Sequence, residues 1–310
     1  MTEWGVLLPT FDPLRLGEPY AVTRAARLAQ DAGFASVWAG DHLKCPAPGL
    51  DGPTCLAAAA AVTTEVALGL SVMLLGLRPV AWAAKQIATL QHLSGNRLRL
   101  GVGVGGEFPA EYEAAGIPLS GRGARLDRAL ELLPLMLSAG GEHSLEPPAK
   151  MPPVLVGGRS DRALARAASY GDAWLPMWIS PDTLRRRGEL LAERSAALGR
   201  PAPAISLLVL AHVDADSSRA RAQADAHLRG QYGMDLSRVE RWTALGGVGE
   251  VAAFLEPYTR AGVSEILLLP LGARPLEQIE RLAEVTRAVG SAPAVAATTA
   301  AATTAAGGTA

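Results

Sequence analysis

Residues 4–13, WGVLLPTFDP, decide between the two folds that a chain of alternating strands and helices most often adopts. The apolar run Trp4–Leu8 is typical of a buried strand. In a doubly wound dinucleotide-binding domain, a glycine-rich fingerprint follows the first strand directly and opens a helix. Here the strand is followed by the glycine-free segment Pro9-Thr10-Phe11-Asp12-Pro13. The stretch therefore argues against the doubly wound fold.

Seven further apolar runs follow the first, each ahead of a segment with helical spacing. They are Ser36–Ala39, Val66–Leu74, Leu98–Val104, Val154–Val156, Ala173–Leu175, Ile205–Val213 and Glu265–Leu269. The expected helices are Pro19–Asp31, a helix from Pro53, Ala81–Leu93, Ala124–Leu137, Ser160–Ala168, Pro181–Leu198, Ser217–Tyr232 and Leu276–Val289. Eight strand–helix units in succession predict an α/β fold, a parallel (β/α)8 TIM barrel with an insertion after the fourth strand.

Composition limits the other possibilities. Of the 310 residues 49% are hydrophobic, which suffices for one large core, and we expect one domain over residues 1–290. Residues 291–310 are nearly all Ala, Thr and Gly and predict a disordered C-terminal tail. The net charge of −1 gives no reason to expect a nucleic-acid partner. Neither a signal peptide nor a membrane span is evident, and two cysteines fit free thiols in the cytoplasm.

In a TIM barrel the chemistry lies at the C-terminal ends of the strands. Gly40-Asp41-His42 follows the second strand, and a histidine beside a carboxylate can take up or release a proton near neutral pH. The alternative is that Asp41 caps a helical turn while His42 makes a local hydrogen bond. The other histidines show no metal-ligand spacing, and no metal site is expected.

Two glycine-rich segments occupy strand ends as well. Gly157-Gly158-Arg159-Ser160 leads from the fifth strand into a helix, where free amides and a guanidinium favour a phosphate. The alternative is a tight turn with Ser160 or Asp161 as the helix N-cap. Gly101–Glu107 ends the fourth strand, and its glycines would give a flat ring backbone clearance. The alternative there is packing of the barrel wall.

Four other residues near strand ends are expected to line a substrate pocket: Phe11, Glu107, Trp178 and His212.

Several segments, in order along the chain, resemble the luciferase-like monooxygenase superfamily, and in particular its branch that uses the 5-deazaflavin coenzyme F420. The matching segments include Gly5–Thr10, Gly33–His42, Ser94–Leu98, Gly101–Gly105, Arg122–Asp127, Val156–Gly158 and Tyr170–Trp174. Each is weak alone, but their order and spacing together are specific. The resemblance extends from about Glu3 to Val289.

The resemblance implies roles for individual residues. His42 would lie beside the deazaflavin ring and position the cofactor or substrate or move a proton, and Asp41 would contact the ring's polar edge. The Ser71-Val72 step would carry a non-prolyl cis peptide behind the ring. The remaining cofactor-binding residues would be Gly103, Val104 and Gly105 beside the ring and Gly157, Gly158, Arg159 and Ser160 at the phosphate.

The sequence departs from the family pattern at two places. The family's glucose-6-phosphate dehydrogenases carry an acid directly after the glycine-rich loop, where this chain has Gly106, and Glu107 comes one residue late. The segment from Ser138 to Pro153 is short, which suggests an open mouth for a bulky substrate. No catalytic acid is therefore assigned.

The resemblance implies an oxidoreductase that transfers a hydride between coenzyme F420 and an organic substrate, by C=C or C=N reduction or by alcohol oxidation. One alternative is an FMN-dependent two-component monooxygenase, and another is a non-catalytic flavin-binding accessory protein. The expected partners are a small-molecule or peptide substrate and a second copy of the chain in a homodimer. The alanine-rich helices after the second and third strands are the candidate dimer surface.

Overall fold

The computed structural model describes residues 2–17 and 20–291 and has nine parallel strands there. They are β1 Glu3–Leu7, β2 Ser36–Ala39, β3 Ala67–Met73, β4 Leu98–Val102, β5 Val154–Gly157, β6 Ala173–Leu175, β7 Ala204–Val213, β8 Thr243–Gly246 and β9 Glu265–Pro270. Strands β1 to β7 pair in sequence order, β7 pairs with β9, and β9 pairs with β1 to close the ring. The predicted eight-stranded TIM barrel is confirmed. The predicted tail lies outside the described residues except for Ser291.

Strand β8 was not predicted from the sequence. Strand β6 has only three residues and pairs with β7 through Ala204 and Ile205 alone. The last four residues of β7 are therefore free on that side, and β8 pairs with them from Leu210 to Val213. The extra strand thus completes the pairing of a strand that is much longer than its neighbour.

Helices alternate with the strands around the outside of the barrel. They are α1 Val22–Asp31, α2 Gly52–Ala60, α3 Val80–Ser94, α4 Pro109–Ala114, α5 Arg122–Leu137, α6 Asp161–Tyr170, α7 Pro181–Ala197, α8 Ser217–Tyr232, α9 Val248–Arg260 and α10 Pro275–Ser291. Helices α4 and α9 were not assigned from the sequence. Over the described residues, no helix combines the length and apolarity that crossing a membrane requires.

Helix α8 closes part of the barrel mouth. Its residues Ala224 and Leu228 are buried in the same cluster as Leu7 of β1 and Leu210 of β7. A Cβ at Gly230 would lie 1.8 Å from the carbonyl oxygen of Pro13, so the helix touches the loop after β1 directly. The remaining opening therefore lies over the other strands, where the predicted site residues are.

Candidate active site

One cavity of 320 Å³ at the C-terminal ends of the strands gathers most of the predicted site residues. The predicted residues that line it are His42, Ser71, Val72, Gly103, Val104, Gly105, Glu107, Gly157, Gly158, Arg159 and Trp178. Its other lining residues are Leu74, Leu175, Met177, Leu208 and Tyr232. The residues come from separate strands and loops, so the cavity exists only because the barrel closes.

His42 is held by a carboxylate that sequence reasoning missed. Its Nδ1 lies 3.0 Å from Oε1 of Glu111, which belongs to the short helix α4. Glu111 is 0% exposed, and the same oxygen accepts a hydrogen bond from the backbone N–H of Leu43 at 2.9 Å. A carboxylate at Nδ1 fixes the ring's tautomer and orientation, which leaves Nε2 for a ligand. The other oxygen, Oε2, is buried with no partner among the described residues.

Asp41 does not line the cavity. It is 5% exposed, and both of its oxygens bind the guanidinium of Arg78, at 2.6 and 2.7 Å. Burial lowers the pKa of Arg78, but its hydrogen bonds to Asp41 outweigh that effect and the pKa is raised overall. Asp41 also accepts from the backbone N–H of Leu74 at 3.0 Å. It therefore ties the loops after β2 and β3 together beneath the cavity wall.

Val72 shapes one wall of the cavity that His42 also lines. The Ser71-Val72 bond is a non-prolyl cis peptide, as expected, and the β3–β4 register shifts between Leu70 and Met73. A Cβ at Gly103 would lie 2.4 Å from Cγ2 of Val72, and one at Gly157 would lie 3.1 Å from its Cγ1. Packing against Val72 therefore leaves no room for a side chain at Gly103 and little room for one at Gly157. The same absence of side chains leaves a flat wall that would accommodate a planar ring.

The loop after β5 forms the helix N-cap that its sequence offered as one interpretation, and its place as a phosphate site stays a prediction. The Ser160 hydroxyl caps helix α6 by accepting from the backbone N–H of Ala163 at 3.1 Å, and Ser160 does not line the cavity. Arg159 is exposed, and its Nη1 donates to the carbonyl oxygen of Trp178 at 2.8 Å. An adjoining cavity of 450 Å³ is lined by Arg159, Arg187 and Arg241. This side of the site is accordingly suited to an anionic group.

Trp178 forms a strained apolar wall between the two cavities. Its backbone has φ +51°, a conformation that is uncommon for a bulky residue and that often marks a functional site. Its indole N–H is buried without a partner among the described residues, and its ring packs edge-on against Tyr232 at 5.8 Å. An unpaired buried donor at this wall fits a ligand that carries a hydrogen-bond acceptor.

Phe11 and His212 lie outside this cavity. Phe11 packs against the His42 ring at 5.8 Å and lines a neighbouring cavity of 330 Å³. His212 is buried, and its Nδ1 lies 2.8 Å from the carbonyl oxygen of Leu271. Within residues 2–17 and 20–291, no three His, Cys, Asp or Glu side chains are grouped so that they could hold a metal ion.

Comparisons with known proteins agree with this architecture. The family model described as luciferase-like monooxygenase matches residues 2–252. An uncharacterized protein of Mycobacterium tuberculosis is 39% identical over 142 residues, which cover 42% of this chain and 49% of the relative. A proposed coenzyme F420-dependent oxidoreductase of the same organism is 31% identical over 206 residues, 55% of each chain. These matches span about half the length of the curated relatives.

Solved structures with the same fold include enzymes of two kinds. An F420-dependent secondary alcohol dehydrogenase superposes with a TM-score of 0.78 at 19% identity, covering 93% of this chain and 99% of its own. A monooxygenase from Streptomyces bottropensis superposes with a TM-score of 0.77 at 23% identity, covering 92% and 97%. At these identities the similarity establishes the fold.

Proposed function

Because this chain belongs to the luciferase-like monooxygenase family, we propose that it transfers a hydride between coenzyme F420 and an organic substrate. The reaction would be C=C or C=N reduction, or alcohol oxidation. The observation that carries the proposal is the single cavity in which His42, Val72 and Arg159 meet. The similarity to a proposed F420-dependent oxidoreductase supports the deazaflavin over FMN.

The residues of the cavity fit such a cofactor. The flat wall of Val72, Gly103 and Gly105 would face a planar ring, and Arg159 would bind its anionic portion together with the amides before helix α6. The bound cofactor supplies or accepts the hydride. Asp41 would act indirectly, by holding Leu74 against the site through the hydrogen bond to its backbone N–H.

His42 would handle the proton that accompanies the hydride. In alcohol oxidation Nε2 accepts the hydroxyl proton as the substrate's C–H bond breaks, and in reduction it returns a proton to the product. The buried carboxylate of Glu111 contacts Nδ1, which holds the ring in place and leaves Nε2 for this proton transfer. His42 is therefore the acid–base group, and Glu111 is a positioning residue.

A binding titration tests the cofactor assignment. The purified full-length protein is titrated with coenzyme F420 and with FMN, each oxidised and reduced, and binding is followed by cofactor fluorescence or by calorimetry. We expect F420 to bind at least about tenfold more tightly than FMN. Tight FMN binding with oxygen consumption would instead establish a monooxygenase. Binding of either cofactor without turnover of any substrate would indicate an accessory protein.

The Arg159→Ala variant is expected to bind coenzyme F420 about tenfold more weakly, because a charge-assisted hydrogen bond to an anion is lost. Arg162→Ala is the matched control, since Arg162 lies exposed on helix α6, two residues into it, and carries the same charge. Equal weakening in both variants would show that net charge alone, rather than a site at Arg159, attracts the cofactor.

We also propose that the protein acts in the cytoplasm as a homodimer. On helix α3, Trp82 is 69% exposed and Leu93 is 58% exposed. Eleven residues are about three helical turns, so both side chains lie on one face. We propose that these two exposed apolar side chains form part of the dimer interface. Both cysteines are free thiols, as a reducing compartment would keep them.

Replacing both Trp82 and Leu93 with glutamate is expected to convert a dimer into a monomer, as measured by sedimentation velocity at several protein concentrations. Leu198→Glu is the control, because Leu198 is similarly exposed but follows helix α7. A wild-type protein that sediments as a monomer would contradict the assembly proposal at once.

A further inference from the structure

We propose that Tyr232 donates a hydrogen bond to a neutral oxygen atom of the substrate, and that the cavity selects an apolar aromatic carbonyl compound or alcohol. The inference rests on the proposed function and specifies its substrate class. It starts from a chain of buried polar groups that runs from the loop after β9 along helix α8 to the cavity.

The direction of this chain is set by a backbone amide. The N–H of Gly272 donates to Nδ1 of His227 at 3.1 Å. Because a backbone N–H can only donate, Nδ1 must carry a lone pair and no proton. His227 is 5% exposed, and burial lowers its pKa to about 4, so the ring is neutral at physiological pH. The proton of the ring therefore resides on Nε2.

The next two bonds follow from that assignment. Nε2 of His227 lies 3.0 Å from Oε1 of Gln231 and donates to it. This fixes the orientation of the Gln231 amide, so its Nε2 donates to the Tyr232 hydroxyl oxygen at 3.4 Å. Tyr232 accepts this bond, and its own hydroxyl hydrogen has no acceptor among the described residues. That hydrogen is left for a ligand.

Tyr232 is placed to use this hydrogen on a substrate. The residue lines the cavity that also holds His42. Burial raises the pKa of Tyr232, and the carboxylate of Glu107 raises it further, so the phenol stays protonated and remains a donor. The hydroxyl would polarise the substrate oxygen without giving up its proton, while His42 handles the transferred proton.

The surroundings of Tyr232 define the substrate class. Met177, Trp178 and Leu208 form an apolar wall beside it. An aromatic ring can stack against Trp178 and Tyr232, whereas a charged group would lose part of its hydration against these apolar side chains. The exposed carboxylate of Glu107 at the rim disfavours anionic substrates. A neutral aromatic ketone, enone or alcohol satisfies all three conditions.

Two probes of the same shape isolate the hydrogen bond. Acetophenone carries a carbonyl oxygen, and α-methylstyrene has a CH₂ group at that position. Binding of each to the full-length protein is measured by equilibrium dialysis, with and without saturating coenzyme F420. We expect the wild type to prefer acetophenone, and the Tyr232→Phe variant to bind acetophenone about fivefold more weakly with α-methylstyrene unchanged.

Two further measurements separate a hydrogen bond from a change in packing. The C=O stretching frequency of bound acetophenone, measured by isotope-edited infrared spectroscopy, should be lower in the wild type than in Tyr232→Phe. Gln231→Leu should reduce the preference for acetophenone, because it removes the group that orients the hydroxyl. Gln223→Leu is the control, since Gln223 lies on the same helix but binds the backbone N–H of Ala273 instead.

The inference is overturned if both probes bind equally to the wild type, if neither binds, or if Tyr232→Phe leaves the stretching frequency unchanged. These results are independent of the cofactor titration. A protein that prefers FMN but retains the acetophenone preference would refute the proposed function and leave the role of Tyr232 intact.

Discussion

The His42→Ala variant is expected to lower kcat/KM by a factor of about 10² to 10⁴, the usual contribution of a positioned acid–base group. Coenzyme F420 should bind the variant nearly as well as the wild type, because the anionic portion would be held at Arg159. Activity is measured by steady-state kinetics with an alcohol, ketone or enone that the wild type has been found to convert. Retained turnover would remove the assigned role for His42.

The Glu111→Gln variant tests whether the carboxylate at Nδ1 supports the role of His42. Glutamine can keep its oxygen at the position that accepts from Leu43 and contacts His42, so the fold should persist while the negative charge is lost. We expect kcat/KM to fall by at least about tenfold, because the charge-assisted contact that orients the His42 ring becomes a weaker neutral hydrogen bond. The double variant should be no slower than His42→Ala alone, since Glu111 acts through His42.

Glu113→Gln is the matched control for this carboxylate. Glu113 lies on the same short helix α4 two residues away, but it is exposed. It should retain the activity and the pH dependence of the wild type. If both glutamine variants lost activity to the same extent, the helix and not the contact to His42 would be responsible. A double variant much slower than His42→Ala would show that Glu111 has a second role.

The barrel and the location of the site could be predicted because both follow from local patterns. Each strand is a short apolar run, and a parallel barrel brings all strand ends to one face. His42, Ser71 and Gly157 meet at one cavity for this reason, although they are far apart in sequence. The sequence did not reveal site residues that reach the cavity only through the tertiary path of a loop.

Glu111 illustrates that limit. It lies 69 residues from His42 on a six-residue helix inside the insertion, and no periodic pattern indicates that this helix approaches His42. The contact between Asp41 and Arg78 could not be predicted for the same reason. Its place after β2 could be predicted, but its pairing with Arg78 depends on the path of the loop after β3. Long-range contacts of single side chains are set by tertiary packing, which a local pattern does not record.

The Asp41–Arg78 ion pair leads to the largest expected effect on stability. Asp41 is buried, Arg78 binds both of its oxygens, and the side chain of Arg78 is itself 19% exposed. Arg78→Met would leave that carboxylate with the backbone N–H of Leu74 as its one remaining hydrogen-bond donor among the residues that the structure describes. We expect the free energy of unfolding to fall by about 3 kcal/mol, since an uncompensated buried charge is costly.

Urea denaturation followed by circular dichroism measures this effect, and two further variants show its cause. Adding Asp41→Asn to Arg78→Met should recover part of the loss, because the buried charge is then removed. Arg128→Met removes an exposed arginine whose partner Glu131 is also exposed, and it should change stability by less than about 0.5 kcal/mol. If Arg78→Met and Arg128→Met were equally stable, the pair would contribute no more than a surface contact. The link between the loops after β2 and β3 would then have to come from packing alone.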